Sequence, residues 1–408
     1  MSEQCRIDKS DLIEIIDLGD QYVSDFVNNP EQGEKSSLKL CIGKTSGLVQ
    51  LKDTFSPEKM YKKYWYRSSI NESMVTQLKN IVDCCNKVIE VKKGDVVLDI
   101  ACNDGTLLSF WDKSFFRIGI DPSDVAKTQV SSIDALVNDF FSSENYYKVS
   151  NKKAKVITSI AMFYDLEDPN WFVDEIKKCL DNDGIWVIQM SYMPLMLEQN
   201  AFDNICHEHL EYYSFTVLNN LLEKHGMKVF DVELNDTNSG SIRTYITFKE
   251  NKNLKLSHHA RQIGQFRVNS LIEYEKKLNL LNPKPYIEFF ERIEKNKTKT
   301  LELLSSIKEN NLKVIGYGAS TKGNTLLQYY GIGPELISCI AERSKEKWGL
   351  KTVGTGIPII SEEEMRKMKP DYLFIFPWHF VDAFKKRESE LINLGTKLIV
   401  PLPELYII

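Results

Sequence analysis

The run Val96-Val97-Leu98-Asp99-Ile100, followed at once by Ala101-Cys102-Asn103-Asp104-Gly105, constrains this chain more than any other segment. An unbroken apolar run with an acid near its end suits a strand buried on both faces. The glycine turn after it opens a helix at Thr106-Leu107-Leu108. The pattern returns in Phe116-Arg117-Ile118-Gly119-Ile120-Asp121-Pro122, and again in Ala135-Leu136-Val137 before Asn138-Asp139-Phe140-Phe141. Strand-like and helix-like runs alternate in this way to residue 250, which predicts an α/β domain built on a parallel sheet with crossover helices.

The strand ends indicate what such a sheet could hold. Neither the G-x-G-x-x-G of a dinucleotide site nor the G-K-[ST] of a P-loop occurs at the first turn. An acid after the second strand, Asp121, is placed to accept hydrogen bonds from ribose hydroxyls. Asp139 and the ring of Phe140 follow the third strand, where an adenine would lie. Asp99 and Asp104 offer negative charge to a cation. The set Asp99, Ala101, Asn103, Asp104, Gly105, Asp121, Asp139 and Phe140 therefore describes a nucleoside site that S-adenosylmethionine fits better than a phosphorylated cofactor. The plainer alternative is an αβ domain whose strands end in capping acids.

A second cluster lies in Cys206-His207-Glu208-His209, which holds two of the six histidines. Histidine titrates near neutrality and a carboxylate can orient it, so the pattern suits a general base. It is not a zinc-protease helix, because residues two apart point to different sides of a helix. A surface turn whose imidazoles bond the backbone would read the same way.

Residues 1–66 are short apolar runs broken by Asn-Pro and Gly, a small β-rich module. Ser69-Ile70-Asn71-Glu72 matches a capping box ahead of a helix through Met74, Leu78, Ile81 and Val82. The α/β domain takes residues 67–250. Residues 251–311 are charged and helically periodic, interrupted at Asn282-Pro283-Lys284-Pro285, and read as a helical connection.

Residues 312–408 repeat the αβ logic as a Rossmann-like domain. There Leu312 to Gly318 runs into a turn, and Ala319-Ser320-Thr321-Lys322-Gly323 opens a helix. Tyr317, Ser320, Lys322 and Asn324 thus form a candidate anion site, or a turn kept for packing. His379 follows the strand at Tyr372-Leu373-Phe374-Ile375-Phe376, at the edge where open sheets bind ligands, and is open to a structural reading as well.

Composition narrows the class. A chain of 408 residues that is 42% hydrophobic can bury more than one core. Its formal charge of −5 and lack of a basic run argue against nucleic acid as partner. No apolar stretch approaches a membrane span and the N-terminus carries no signal pattern, so the expected location is cytoplasmic. The eight cysteines are scattered except for the adjacent Cys84 and Cys85, in keeping with a reducing compartment.

Five segments in order give a family likeness: Tyr64-Trp65-Tyr66-Arg67-Ser68-Ser69, Asn103 to Leu108, His207-Glu208-His209, Ser239-Gly240-Ser241-Ile242-Arg243, and Gly316 to Thr325. A last block runs from Ala341-Glu342-Arg343 through Pro377-Trp378-His379-Phe380 to Pro401-Leu402-Pro403. The chain resembles the three-part sugar C-methyltransferases, which use S-adenosylmethionine to methylate a carbon of a nucleotide-linked ketosugar.

The resemblance implies a class I methyltransferase domain between the two smaller parts. It implies His209 as the base that forms an enolate, Glu208 as its orienting group, and His207 or a tyrosine such as Tyr164 as donor to the oxyanion. Tyr212 and Arg243 join the C-terminal residues as substrate contacts, with a structural ion pair as the other reading of Arg243. An O-methyltransferase acting on a related sugar is the competing activity.

Two departures stand out. The family's N-terminal zinc module has four cysteines, whereas here Cys5 and Cys41 are the cysteines of that region, with Asp8 and Ser46 at expected ligand positions. Zinc is therefore not expected. Cys206 replaces a tyrosine common before HEH, and Tyr164-Asp165 replaces an asparagine and histidine common in the strand segment before it.

Overall fold

The computed structural model describes residues 4–61, 65–128, 133–251, 254 and 256–408. Tyr64 of the first family segment lies outside them. The run at Val96–Ile100 is a central strand whose apolar residues divide between two layers. Val96, Leu98 and Ile100 enter one core, while Val97 enters the other together with Ile81, Val82 and Leu107. That division is the two-residue side-chain alternation of a strand covered on both faces.

Around it stands a seven-stranded sheet in the spatial order Met227–Asn235, Ser241–Phe248, Leu180–Ser191, Ala154–Ile160, Val96–Ile100, Phe116–Ile120, Ala135–Val137. Ser241–Phe248 is antiparallel to both neighbours and the remaining pairs are parallel. This is the class I Rossmann-like methyltransferase fold. Its strand order reverses between Val96–Ile100 and Ala154–Ile160, which opens a crevice at their carboxyl ends.

The helix before the first strand spans Glu72–Val88, and its cap is Asn71, whose side chain accepts from Ser73 N. The capping box expected from Ser69 does not form. Ser69 N instead donates to Asp104 Oδ2 at 2.8 Å, which holds Ser68–Ile70 as a separate 3-10 turn over the first loop.

The N-terminal residues form antiparallel strands Leu12–Tyr22, Lys35–Gly43 and Val49–Leu51. The fourth strand of that sheet, Glu211–Tyr212, comes from the segment just after the His-Glu-His cluster. Phe26–Val27 also pairs with Lys351–Thr352 near the C-terminus. One apolar core accordingly joins Leu38, Leu40 and Ile42 to Phe202, Ile205 and Leu210 and to Ile337 and Phe374.

Where the resemblance places a zinc site, Cys5 Sγ and Ser46 Oγ lie 3.1 Å apart and Ser10 Oγ donates to Asp8 at 2.7 Å. The residue closing this knot is Gly43, where a Cβ would fall 2.9 Å from Cys5 Sγ. A thiol, a carboxylate and a hydroxyl with a glycine do not supply the closed tetrahedron of structural zinc. Among the described residues no group of three or more His, Cys, Asp or Glu is placed to hold a metal ion.

The connection consists of helices His258–Leu278 and Lys284–Glu309, separated by Asn279 in the left-handed conformation. The first helix lies on Met227–Asn235, where a Cβ on Gly264 would come within 2.5 Å of the Phe230 carbonyl. Its Glu275 is buried and accepts from Phe215 N at 2.6 Å, Thr216 N at 2.7 Å and Tyr192 Oη at 2.6 Å, capping the helix Phe215–Lys224.

The C-terminal sheet has the order Ile359–Ser361, Ile340–Glu342, Val314–Tyr317, Tyr372–Ile375, Lys397–Val400 and Tyr406–Ile407, with the last strand antiparallel. Its own reversal lies between Val314–Tyr317 and Tyr372–Ile375. Among the described residues no helix is long and apolar enough to cross a membrane.

Candidate active site

The first loop of the central sheet is built from left-handed backbone. Ala101 has φ 57°, Asn103 φ 51° and Gly105 φ 75°, which turns the chain tightly enough to aim it at the next strand end. There Asp121 accepts from Asn103 N at 2.8 Å and from Ser123 N at 2.7 Å. A carboxylate has about four acceptor sites, so Asp121 keeps capacity for ribose hydroxyls.

Asp99 accepts from Thr158 Oγ1 at 2.5 Å. Burial, and secondarily the charge of Asp121, push its carboxyl up to about 7, although the Thr158 bond opposes them. Asp121 is likewise raised by burial. The groups bonded to these two acids are a hydroxyl and backbone N–H groups, not cations. A positively charged ligand would relieve both.

Asn103 and Asp104 act differently from a direct contact. Asn103 Oδ1 accepts from Ser68 N at 3.0 Å, its Nδ2 donates to Tyr66 O at 3.0 Å, and Asp104 holds Ser69 and Thr106. Together they fasten the 66–69 segment over the loop. Asp139 is exposed, and Phe140 shows 42% of its surface to solvent beside the third strand end, a free aromatic face of the kind an adenine covers. The residues present therefore fit S-adenosylmethionine.

The His-Glu-His cluster sits in a turn between the 3-10 turn Phe202–Asn204 and the short strand Glu211–Tyr212. His209 Nδ1 lies 2.8 Å from the carbonyl oxygen of Asn204. A carbonyl only accepts, so Nδ1 carries the proton and Nε2 keeps a free lone pair. The ring meets Tyr164 edge-on at 4.4 Å, and Tyr212 Oη also donates to Asn204 O, at 3.3 Å. Burial, then the nearby charge of Lys322, bring His209 down to about 3 despite the Asn204 bond. The imidazole is neutral at physiological pH.

Glu208 is raised by burial, and its Oε2 has no hydrogen-bond partner. Asp165 is raised well above its usual range by burial and then by Glu208. The charge of Glu208 thus acts on Asp165. His207 points elsewhere: its Nε2 lies 3.0 Å from the Ser36 carbonyl of the N-terminal sheet. It anchors that module, and the structure does not bring it to His209 as an oxyanion donor.

The loops at the reversal of the C-terminal sheet close against this turn. Ser320 caps the helix Thr321–Tyr330 by accepting from Gly323 N at 3.0 Å, and Trp378 Nε1 donates to Asp203 Oδ2 at 3.1 Å. Phe202 stacks on Tyr330 with centroids 5.3 Å apart. Lys322 Nζ and His379 Nδ1 are buried without hydrogen-bond partners. Burial, and then Lys322, bring His379 down to about 3.

Three proposed substrate contacts make bonds within the protein. Tyr317 Oη donates to Glu388 at 2.6 Å. Arg243 bonds Gln189 at 2.8 Å and Asn80 at 2.9 Å, with Glu233 at 3.6 Å, which is the ion-pair reading. Asn324 donates to Ser24 Oγ at 2.8 Å and joins the N-terminal module to the C-terminal domain. Sequence reading passed over Asp203, Asn204, Trp378 and Tyr61, whose Oη donates to Glu208 O at 3.1 Å. The adjacent acid and amide before His-Glu-His were the available signal. Nothing local marked Tyr61.

A class I sheet with these strand ends defines an S-adenosylmethionine-dependent methyltransferase, and residues 79–232 match the methyltransferase-domain family. Residues 236–403 match the C-methyltransferase C-terminal domain family. It is 26% identical over 368 residues to the C-methyltransferase NovU of Streptomyces niveus, covering 88% of this chain and 84% of that protein.

Among solved structures it is similar to an S-adenosylmethionine-dependent methyltransferase from Clostridium acetobutylicum. That likeness has 13% identity and a TM-score of 0.34, over 43% of this chain and 92% of that one. It is also similar to the plantazolicin methyltransferase BpumL in complex with SAH, with 14% identity and a TM-score of 0.32, over 43% of this chain and 82% of that one.

Proposed function

We propose that this enzyme methylates a carbon next to the ketone of a nucleotide-linked ketosugar, with His209 as the base. The observation that carries the reading is the Nδ1 bond of His209 to a carbonyl, which leaves Nε2 unprotonated on a ring that lines a small cavity with Tyr164 and Tyr212. S-adenosylmethionine supplies a methyl group already activated by its sulfonium, so the protein's task is to make and align a nucleophile. Asp99, Asp121 and Phe140 hold that cosubstrate, with the Asn103–Gly105 loop beneath it.

His209 Nε2 takes the proton from the carbon beside the carbonyl, and the C–H electron pair becomes the enolate double bond. Asn204 O fixes the tautomer and orientation. Glu208 tunes its basicity from the preceding position in the chain, and Tyr164 and Tyr212 wall the site. The cavity they share with Met193 and Met196 is about 10 Å³, the room of about one water. Admitting a sugar therefore requires the His-Glu-His turn and the C-terminal loops to part. The negative charge of a nucleotide diphosphate suits the helix start at Ser320–Gly323.

The test is solvent exchange with methyl transfer blocked. In D2O with S-adenosylhomocysteine bound, the enzyme should exchange the proton next to the ketone of its nucleotide sugar, and His209→Gln should not. O-methylation needs no such exchange, so methyl transfer to a ketosugar without it would reject the proposal.

A further inference from the structure

We infer that Lys322 is the group that receives the enolate oxygen: its ammonium stabilises the oxyanion formed when His209 takes the substrate proton. This rests on the ketosugar reading above. Of the two sequence candidates for the oxyanion donor, His207 is committed to Ser36 O. The other, Tyr164, meets the His209 ring edge-on at 4.4 Å, and Tyr212 donates to Asn204 O.

Lys322 lies in the first turn of the helix Thr321–Tyr330, where the chain leaves the reversal of the C-terminal sheet toward the His-Glu-His turn. Its Nζ is buried and has no hydrogen-bond partner. The nearest acid able to claim it, Asp203, accepts from Trp378 Nε1 through one oxygen, and its other oxygen is unpartnered as well. Burial lowers the pKa of Lys322, and Asp203 acts against that fall, favouring the ammonium, without bonding it.

A buried ammonium with no partner is costly in a ligand-free protein and is retained where a ligand group completes it. The helix that carries Lys322 packs on the turn Phe202–Asn204, whose Asn204 carbonyl holds His209, and the charge of Lys322 acts on both His209 and His379. Asp203 Oδ1 and His379 Nδ1 are orphaned as well, and the charge of Lys322 acts on both residues.

The electron balance explains why a cation should stand there. When the C–H pair becomes a C=C bond, the carbonyl π pair moves onto oxygen. His209 becomes cationic and the oxygen anionic. An ammonium beside a bare imidazole opposes the first event. Once the oxygen carries its charge, it neutralises Lys322 and that opposition disappears. The C=C pair then forms the bond to the methyl carbon while the C–S pair stays on sulfur, the oxygen pair re-forms the carbonyl, Lys322 releases it, and His209 passes its proton to water. Proton uptake by His209 is therefore coupled to the presence of a ketone, which protects the site from idle protonation.

Lys322→Met keeps the stem and removes the charge, and Lys322→Arg keeps charge in altered geometry. The measurements are solvent exchange with S-adenosylhomocysteine, single-turnover methyl transfer, substrate Kd and S-adenosylhomocysteine Kd. Removal of one oxyanion donor should slow both exchange and methyl transfer by about 10²–10³-fold. Both Kd values should change less than about threefold, and Lys322→Arg should recover part of the rate.

Wild-type exchange rates in Lys322→Met would overturn the assignment and leave the base reading standing. So would a large rise in KM with kcat preserved, which marks Lys322 as a ground-state anion contact. Failure of the wild type to exchange any nucleotide ketosugar that it methylates would overturn the ketosugar reading, and this inference with it.

Discussion

At the residue scale, function turns on environments that move charge rather than on unusual residues. His209 is an ordinary imidazole made neutral by burial and oriented by one backbone carbonyl. Replacing it with Gln should leave cofactor affinity intact and lower single-turnover methylation by about 10²–10⁴-fold, the usual contribution of a positioned base. Glu208→Gln should cost less, because it changes the field on the base. Comparable methylation by His209→Gln and wild type would move the role to another group.

Asp99 gives a pH prediction. Its carboxyl is held up to about 7 in the free protein, and a cation beside it favours the ionised form. Binding S-adenosylmethionine should then expel a proton below that value. Affinity should rise as pH increases from about 5.5 to 7 and level off above. Calorimetry on Asp99→Asn should lose that slope, and an unchanged slope would place the titrating group elsewhere. Asp121→Ala should weaken cosubstrate binding by roughly 1–3 kcal/mol through lost ribose hydrogen bonds.

At the scale of elements, the sequence displayed the strands far better than their ends. Val96–Ile100 was legible because an apolar run between polar turns admits few other conformations. The helix cap was not, because Ser69 has a competing acceptor in Asp104, thirty-five positions away, and a local pattern cannot register a distant acceptor. Tyr61 and Trp378 escaped for the same reason, since the groups they meet belong to another part of the chain. His207 was misread because two histidines in one motif look equivalent in sequence, while the fold turns one toward Ser36 and the other toward Asn204.

The Glu275 cap makes the element-scale argument testable. Three donors converge on one buried carboxylate, so Glu275→Ala should destabilise the protein by roughly 2–4 kcal/mol in denaturant melts. A change below about 0.5 kcal/mol would mean the connection adds little. The N-terminal knot predicts that purified protein carries substoichiometric zinc and keeps its melting temperature in chelator. One tightly held zinc per chain would show that Asp8 and Cys5 recruit a further ligand.

At the scale of the whole molecule, the parts are not strung side by side. The strand Glu211–Tyr212 belongs to the N-terminal sheet, and the turn before it holds His209. Trp378 and Lys322 reach that turn from the far end of the chain.

The central claim is that the methyl group goes to carbon. With the methyl carbon of S-adenosylmethionine labelled by ¹³C and a panel of nucleotide ketosugars as acceptors, NMR of the product reads the new bond directly. A labelled methyl coupled to a ring carbon adjacent to the carbonyl is the predicted result. A labelled methyl on oxygen, with its methoxy shift, would contradict it.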